Sequence, residues 1–253
     1  MAHSSNSTLS ATRTGDLRAL VRTALLALVV ASGCVTNTED RSAKSQVQSP
    51  AAKSTANTTN VASEAARAPA TSASTQQLFD GKTLKGWRIS DFAGSGAVKV
   101  EDGRLILEMG TMTGVTCTSA VPTMNYEISL DAMRVDGNDF FCGLTFPVGK
   151  DPCSLIVGGW GGGVVGLSSL DGQDAANNET TQYMNFQKGR WYAIRLRVVP
   201  NQIQAWIDGD KVVDVDTKDR QISIRIEVEE SRPLGFSTWS TTAALRNIQL
   251  RRL

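Results

Sequence analysis

From Leu78 to the end of the chain, hydrophobic and polar residues alternate in short runs that turn residues separate. A two-residue period puts alternate side chains on opposite faces of a strand, whereas an amphipathic helix repeats every three to four residues. The clearest alternating runs are 126–133, 194–198, 203–207 and 222–228. Asp208-Gly209 is typical of a two-residue hairpin turn. The pattern predicts a dozen or so strands and an all-β domain.

So many short strands, without a convincing amphipathic helix, predict two packed antiparallel sheets over residues 77–253. A closed barrel is the alternative architecture. Uneven strand lengths and long connections favour the sandwich.

The beginning of the chain has the pattern of an export signal. Arginines precede the apolar run 24–31, which is too short to span a bilayer, and small residues then lead to Cys34. This order is similar to the signal of bacterial lipoproteins, so residues 1–33 are predicted to be a signal peptide and Cys34 to be lipid-modified. Plain secretion with an unmodified Cys34 is the alternative.

Residues 35–76 are mostly small and polar and contain no aromatic residue. Such a segment cannot bury enough apolar surface to fold, so 34–76 is predicted to be a lipidated cysteine followed by a disordered linker. The domain is then expected in the cell envelope, attached to a membrane through the lipid. Val35 follows the cysteine where an aspartate would indicate the inner membrane, which favours the outer membrane or the periplasmic face.

Charge and histidine content exclude several classes of function. The chain has 26 basic and 25 acidic residues, so nothing in the balance favours a nucleic-acid partner. The only histidine is His3, inside the predicted signal peptide. A mature protein without histidine has no Ser-His-Asp triad and no histidine metal site. The sequence leaves the oligomeric state open.

Three cysteines follow Cys34, and an exported domain permits disulfides. The segment 140–159 has the pattern of a hairpin, and a turn centred between residues 147 and 148 would place Cys142 opposite Cys153, so these two are the predicted disulfide. Two buried free thiols are the alternative, and Cys117 is expected to be a small core residue.

Candidate catalytic groups must come from residue types other than histidine. Asp139 lies near two other aspartates at a predicted strand end, where a solvated turn is the alternative interpretation. Arg225 and Glu227 lie with Glu229 on the polar face of one predicted strand. If that face is concave, they would line a sugar groove with Arg195; on a convex face they would be solvated charges.

Candidate binding residues lie in two glycine-rich or polar loops. Trp160, among glycines, could stack on a sugar ring, although a core position is the alternative. Asn178 and Glu179 lie in a long polar loop that offers ligands for sugar hydroxyls or Ca²⁺, but its spacing does not match a known Ca²⁺ loop. No metal site is therefore assigned, and a divalent metal stays the one candidate cofactor.

The order of several motifs resembles a known family. These motifs are 78–87 with its Leu-Phe-Asp-Gly start, the Trp-Tyr strand at 191–192, the hairpin at 206–209 and the terminal strand at 244–250. Together they resemble the 3-keto-disaccharide hydrolase domain, also called domain of unknown function 1080. The resemblance spans essentially all of residues 77–253.

This resemblance implies a concanavalin-like jelly-roll sandwich with Trp87 and Trp206 in its core, and an activity on 3-keto-glycosides. In such a reaction a base removes the proton beside the ketone and the glycosidic oxygen leaves. The family often carries a glutamate where this chain has Leu155, and a histidine near Trp239. Trp239 is instead included among the predicted substrate-binding residues.

The sequence therefore predicts a domain with a saccharide ligand. It acts as an enzyme on modified saccharides through Asp139, Glu227 and Arg225, or binds carbohydrate without cleaving it. An envelope domain that binds another protein is the third alternative.

Overall fold

The computed structural model describes residues 74–253, which form fifteen strands and one short 3-10 helix. The predicted signal peptide, the predicted lipidation at Cys34 and nearly all of the predicted linker lie outside the described residues. No helix within 74–253 is long and apolar enough to cross a membrane.

One sheet has eight strands. Its order is β13-β12-β11-β6-β15-β4-β3, and β1 pairs with the remaining edge of β15. All its pairs are antiparallel, and its strands are β1 (Thr75–Gln77), β3 (Val98–Glu101), β4 (Arg104–Leu107), β6 (Tyr126–Gly137), β11 (Trp191–Val199), β12 (Gln202–Ile207), β13 (Asp210–Asp216) and β15 (Thr241–Arg252).

The other sheet has seven antiparallel strands in the order β10-β9-β8-β7-β14-β5-β2. Its strands are β2 (Trp87–Ile89), β5 (Met112–Cys117), β7 (Cys142–Val148), β8 (Asp151–Gly159), β9 (Val164–Ser168), β10 (Gln182–Tyr183) and β14 (Gly235–Trp239). The 3-10 helix, Ile226–Ser231, precedes β14. The predicted all-β sandwich of two antiparallel sheets is confirmed.

The main core lies between the sheets and is built by the alternation seen in the sequence. On β6, Tyr126, Ile128 and Leu130 are buried in it, while Ser129 and Asp131 on the opposite face of the strand are partly exposed. On β8 and β9 of the seven-stranded sheet, Leu155 and Leu167 are fully buried in the same core. The jelly roll therefore holds together by burying one face of each sheet.

The sandwich begins two residues earlier than predicted. Strand β1, Thr75–Gln77, pairs with β15, so the assignment of residues 75 and 76 to the linker was wrong. All three residues of β1 are exposed. Edge pairing through the backbone leaves no hydrophobic pattern for sequence analysis to detect.

The predicted disulfide between Cys142 and Cys153 was wrong. In the β7–β8 hairpin, Cys142 pairs with Val157 and Cys153 pairs with Phe146, and both thiols are free and buried. The hairpin turns at Gly149, where φ is +62°, two residues beyond the centre that the prediction assumed. Burial raises the pKa of each thiol to about 12, so both stay protonated core residues. Cys117 is buried in the core as predicted.

The run 222–228 is not a strand, so the prediction that Arg225, Glu227 and Glu229 share a strand face was wrong. Backbone groups of Ser223 bond to those of Ser169 in a neighbouring loop, and the 3-10 helix begins at Ile226. Ile226 is exposed although it belongs to the hydrophobic set of the alternation. Here tertiary context overrides a two-residue period.

Of the two tryptophans expected in the core, only Trp87 lies there. Trp206 lies on the outer face of the eight-stranded sheet, where the guanidinium of Arg195 stacks 3.7 Å from its ring centroid. A register shift between Ala205 and Trp206 marks this part of β12.

Candidate functional site

A pocket of about 200 Å³ opens on the outer face of the seven-stranded sheet. Strands β5, β8, β9 and β14, the two loops that flank β7 and β8, and the 3-10 helix with the residue before it provide its walls. Its lining residues are Met112, Asp139, Phe140, Ser154, Ile156, Trp160, Ser168, Arg225, Glu227, Val228 and Trp239.

The floor of the pocket belongs to a second apolar cluster, separate from the main core. Met112, Phe140, Ile156 and Val228 are buried in it, and Trp239 packs against it. Glycine at position 143 of β7 allows this packing, because a Cβ there would lie 3.0 Å from the Phe140 ring. Apolar walls with a few polar groups at defined positions are typical of small-ligand sites.

Trp160 lies at the tip of the β8–β9 turn, where its side chain is 44% exposed. Its φ of +49° is in the left-handed region, which costs an L residue roughly 1–2 kcal/mol. A large side chain held exposed in an unfavourable backbone conformation is the kind of outlier that points to function. The alternative of a core position is excluded.

Asp139 lies between β6 and β7 and lines the pocket beside the turn that carries Trp160. Its Oδ1 accepts a hydrogen bond from the Phe140 amide at 2.7 Å, and its Oδ2 accepts one from the Gly161 amide at 3.1 Å. The carboxylate is therefore fixed in orientation and connected to the turn that carries Trp160. It is not the solvated turn residue of the alternative interpretation.

Arg225 and Glu227, which both line the pocket, form an ion pair with each other. The guanidinium of Arg225 donates to Glu227 Oε1 at 2.6 Å and to Asp174 Oδ2 at 3.2 Å. The hydrogen bond from Arg225 lowers the pKa of Glu227, and the same bond raises the pKa of Arg225. Both groups stay charged at neutral pH, so this pair can bind and orient hydroxyls but is poorly suited to proton transfer.

Arg134 is the residue of the site that sequence analysis missed. It is 5% exposed, and its guanidinium donates to the carbonyls of Gly162 at 2.8 Å, Gly158 at 3.1 Å and Asp139 at 3.2 Å. It also donates to the Phe186 carbonyl at 3.3 Å and lies over the rings of Phe141 and Phe186. Burial lowers its pKa. Arg134 thus connects both ends of the Trp160 turn to the backbone of Asp139.

Five of the predicted site residues converge on this pocket: Asp139, Trp160, Arg225, Glu227 and Trp239. The other three do not line it. Asn178 is structural, since its Nδ2 donates to the Leu167 carbonyl at 2.8 Å, and Glu179 pairs with Arg220.

Arg195 lies on the other sheet, so the predicted groove that joins it to Glu227 was wrong. On the outer face of the eight-stranded sheet it lines a separate cavity of about 360 Å³ with Asp131, Trp206 and Asn247. Arg195, Arg197 and Arg251 all donate to the carboxylate of Glu127. Burial raises the pKa of Glu127, but these three hydrogen bonds outweigh it and the pKa is lowered.

Position 155 could not present an acid to the pocket in this fold. Leu155 is fully buried between the sheets, whereas its neighbours Ser154 and Ile156 line the pocket. Because side chains alternate along a strand, positions 154 and 156 face the pocket and position 155 faces the core.

The pocket carboxylates do not fit a divalent cation. Asp139 is held by two backbone amides and Glu227 by Arg225. Within residues 74–253 there is no group of three or more histidine, cysteine, aspartate or glutamate side chains placed to hold a metal. A metal cofactor remains a prediction from the sequence.

Comparisons with solved structures agree with the fold. A protein of unknown function with a galectin-like fold from Bacillus subtilis matches with a TM-score of 0.50 and 10% identity over 71% of this chain and 94% of that one. The Crh5 transglycosylase in complex with NAG matches with a TM-score of 0.50 and 12% identity, over 71% and 84%. A putative glycosyl hydrolase from Parabacteroides distasonis has a TM-score of 0.47 and 14% identity, over 71% and 94%. At these identities the two matches with a TM-score of 0.50 support the fold alone, and the jelly roll is confirmed.

A search among curated proteins found no significant match. A family model gives the more specific result, because the model of the 3-keto-alpha-glucoside-1,2-lyase-like domain matches residues 74–251. The match spans nearly the whole described sandwich and agrees with the resemblance found in the sequence motifs. The chain belongs to the family of 3-keto-alpha-glucoside-1,2-lyase-like domains.

Proposed function

We propose that the pocket on the seven-stranded sheet binds a single saccharide ring without cleaving it. The observation that carries this proposal is the position of Trp160, exposed and held at positive φ at the mouth of a small apolar pocket. Drug-sized ligands usually occupy roughly 300–1,000 Å³, so a pocket of about 200 Å³ suits one ring better than a chain of sugars.

The polar groups of the pocket are arranged for recognition of hydroxyls. Asp139 offers oriented carboxylate lone pairs near Trp160, and the Arg225–Glu227 pair offers donors and acceptors on the other side. Family membership supports a 3-keto-glucoside as the ring that binds. A sugar ring has an apolar face that can stack on Trp160 and hydroxyls that can bond to the charged groups, so the pocket suits a sugar.

Titration with methyl 3-keto-α-D-glucoside, followed by calorimetry, tests binding. We expect Trp160→Ala to weaken binding about two- to tenfold, because stacking on an aromatic ring contributes roughly 0.5–1.5 kcal/mol. Trp206→Ala is the matched control, since Trp206 lies on the other sheet, and should bind as the wild type does. If Trp206→Ala loses binding and Trp160→Ala keeps it, the ligand binds to the eight-stranded sheet and the proposal is refuted.

Cleavage of the same glucoside is the second candidate function, and the family match together with Asp139 in the pocket favours it. Asp139 would remove the proton from C2, beside the ketone. The C1–O bond then breaks, C1 and C2 form a double bond, and the leaving oxygen takes a proton from water. Arg225 would stabilise the enolate. The assay measures the release of methanol from the glucoside. If the wild type releases methanol and Asp139→Asn does not, cleavage is established and binding without cleavage is refuted. Repeating the assay with added divalent metal tests the cofactor prediction.

The location of the domain is a separate proposal, supported by the sequence features around Cys34. We propose that the lipid-modified Cys34 anchors the domain to a membrane of the cell envelope, on the outer membrane or periplasmic face. In cells fed labelled palmitate, the full-length protein should be labelled and sediment with membranes, and Cys34→Ala should be unlabelled and soluble. Cys117→Ala is the control and should stay labelled. An unlabelled wild-type protein would mean plain secretion.

A further inference from the structure

One hydroxyl of the pocket has no hydrogen-bond partner. In residues 74–253 three buried side-chain atoms lack a partner: Arg134 Nε, Ser168 Oγ and Ser231 Oγ. Of these residues, only Ser168 lines the pocket, and it is 2% exposed. A buried polar group without a partner costs about 1–3 kcal/mol, so its presence requires an explanation.

The neighbouring hydroxyls on the same face are paired. Thr145, Ser154 and Ser168 lie side by side on β7, β8 and β9 in strand register. The hydroxyls of Thr145 and Ser154 bond to each other at 2.8 Å. The Ser154 hydroxyl therefore bonds to Thr145 on β7 and not to Ser168 on β9. The Ser168 hydroxyl lines the pocket without a partner.

We propose that the Ser168 hydroxyl forms a hydrogen bond with one oxygen of the bound ring and so determines which ring the pocket accepts. This inference rests on the proposed saccharide-binding function. A hydroxyl can donate to a keto oxygen or accept from a sugar hydroxyl. A site with a buried polar group rejects an analogue that lacks the matching oxygen, because the group is then left unpaired in the complex.

The charge of the pocket further defines the ligand as uncharged. Asp139 and Glu227 are the acidic lining residues, and Arg225 is the basic one. Arg225 already pairs with Glu227 and Asp174, so its charge is neutralised within the protein. A carboxylate or sulfate on the sugar would approach Asp139, and Arg225, the one basic lining residue, already shares its charge with two carboxylates. The pocket is thus built for neutral rings and against acidic ones.

Ser168→Ala and Ser231→Ala form a matched pair of variants. Each removes a buried hydroxyl without a partner, but Ser231 does not line the pocket. Both should keep the wild-type thermal midpoint or raise it slightly. With methyl 3-keto-α-D-glucoside and methyl α-D-glucoside as probes, Ser168→Ala should weaken binding of at least one about tenfold, and Ser231→Ala should bind both as the wild type does. Glucuronic acid should bind the wild type at least about tenfold more weakly than either.

Each result decides a different point. If Ser168→Ala binds both glucosides as tightly as the wild type, a water satisfies the hydroxyl and the role of Ser168 is refuted. If glucuronic acid binds as tightly as the neutral rings, the charge argument is wrong. If the wild type binds none of the probes, the saccharide function itself fails, and this inference with it.

Discussion

Arg134→Met is expected to lower the free energy of unfolding by about 2–4 kcal/mol and to abolish binding of the glucoside. The four backbone carbonyls that accept from this guanidinium would lose their donor, and each buried group left unpaired costs about 1–3 kcal/mol. Relief of the buried charge offsets part of that cost. Binding fails because only the hydrogen bond from the Gly161 amide to Asp139 is then left to connect the Trp160 turn to Asp139. Urea unfolding and the glucoside titration measure the two effects.

Two further variants test whether the effect comes from the buried, hydrogen-bonded position of Arg134 and not from its charge alone. Arg134→Lys keeps the charge but not the planar fork of donors. Its free energy of unfolding and its affinity for the glucoside should lie between those of Arg134→Met and the wild type. Arg190→Met is the control, because Arg190 also stacks on an aromatic ring, 4.6 Å from the Tyr192 centroid, but is exposed. Its cost should stay below about 1 kcal/mol. Wild-type stability in Arg134→Met would contradict the role assigned to this residue.

Gly158→Ala should disrupt the pocket, whereas Gly161→Ala should not. Gly158 lies near the end of β8 and Gly161 in the turn that follows, with φ of +80° and +86°, so alanine has a similar backbone cost of roughly 1–2 kcal/mol at either position. A Cβ at position 158 would clash with Arg134 Nη2 and lie 2.9 Å from the Phe141 ring, while one at position 161 would meet nothing within 4 Å. Overpacking adds about 1–3 kcal/mol at Gly158 alone.

The same pair of variants predicts a difference in ligand affinity. Gly161→Ala keeps its amide for Asp139 and should bind the glucoside within about threefold of the wild type, since only the backbone energy changes. Gly158→Ala pushes the guanidinium away from the turn and should bind at least about tenfold more weakly. Equal stability and equal affinity of the two variants would show that Arg134 does not hold the turn.

The fold could be predicted from the sequence because its information is local. Alternation along β6, β11 and β12 specifies which side chains enter the core, and Asp208-Gly209 specifies a turn, where both residues have positive φ. Errors arose where the same local pattern fits two structures. The run 222–228 alternates but belongs to no strand, and the disulfide prediction placed the turn of the β7–β8 hairpin two residues too early.

The site could be predicted only in part, because its geometry depends on contacts far apart in the sequence. Asp139, Trp160, Glu227 and Trp239 each had a chemical reason to be chosen, but no sequence pattern shows that they share one pocket. Arg195 was grouped with them and lies on the other sheet. Arg134 and Ser168 look like ordinary strand residues, and only burial and missing or unusual partners identify them.

A crystal structure of residues 74–253 soaked with methyl 3-keto-α-D-glucoside tests the central claim most directly. We predict difference density for one ring in the pocket of the seven-stranded sheet, between Trp160 and Ser168, with an oxygen of the ring within hydrogen-bond distance of Ser168 Oγ. Density against Arg195 and Trp206 on the eight-stranded sheet, with none in this pocket, would contradict the account.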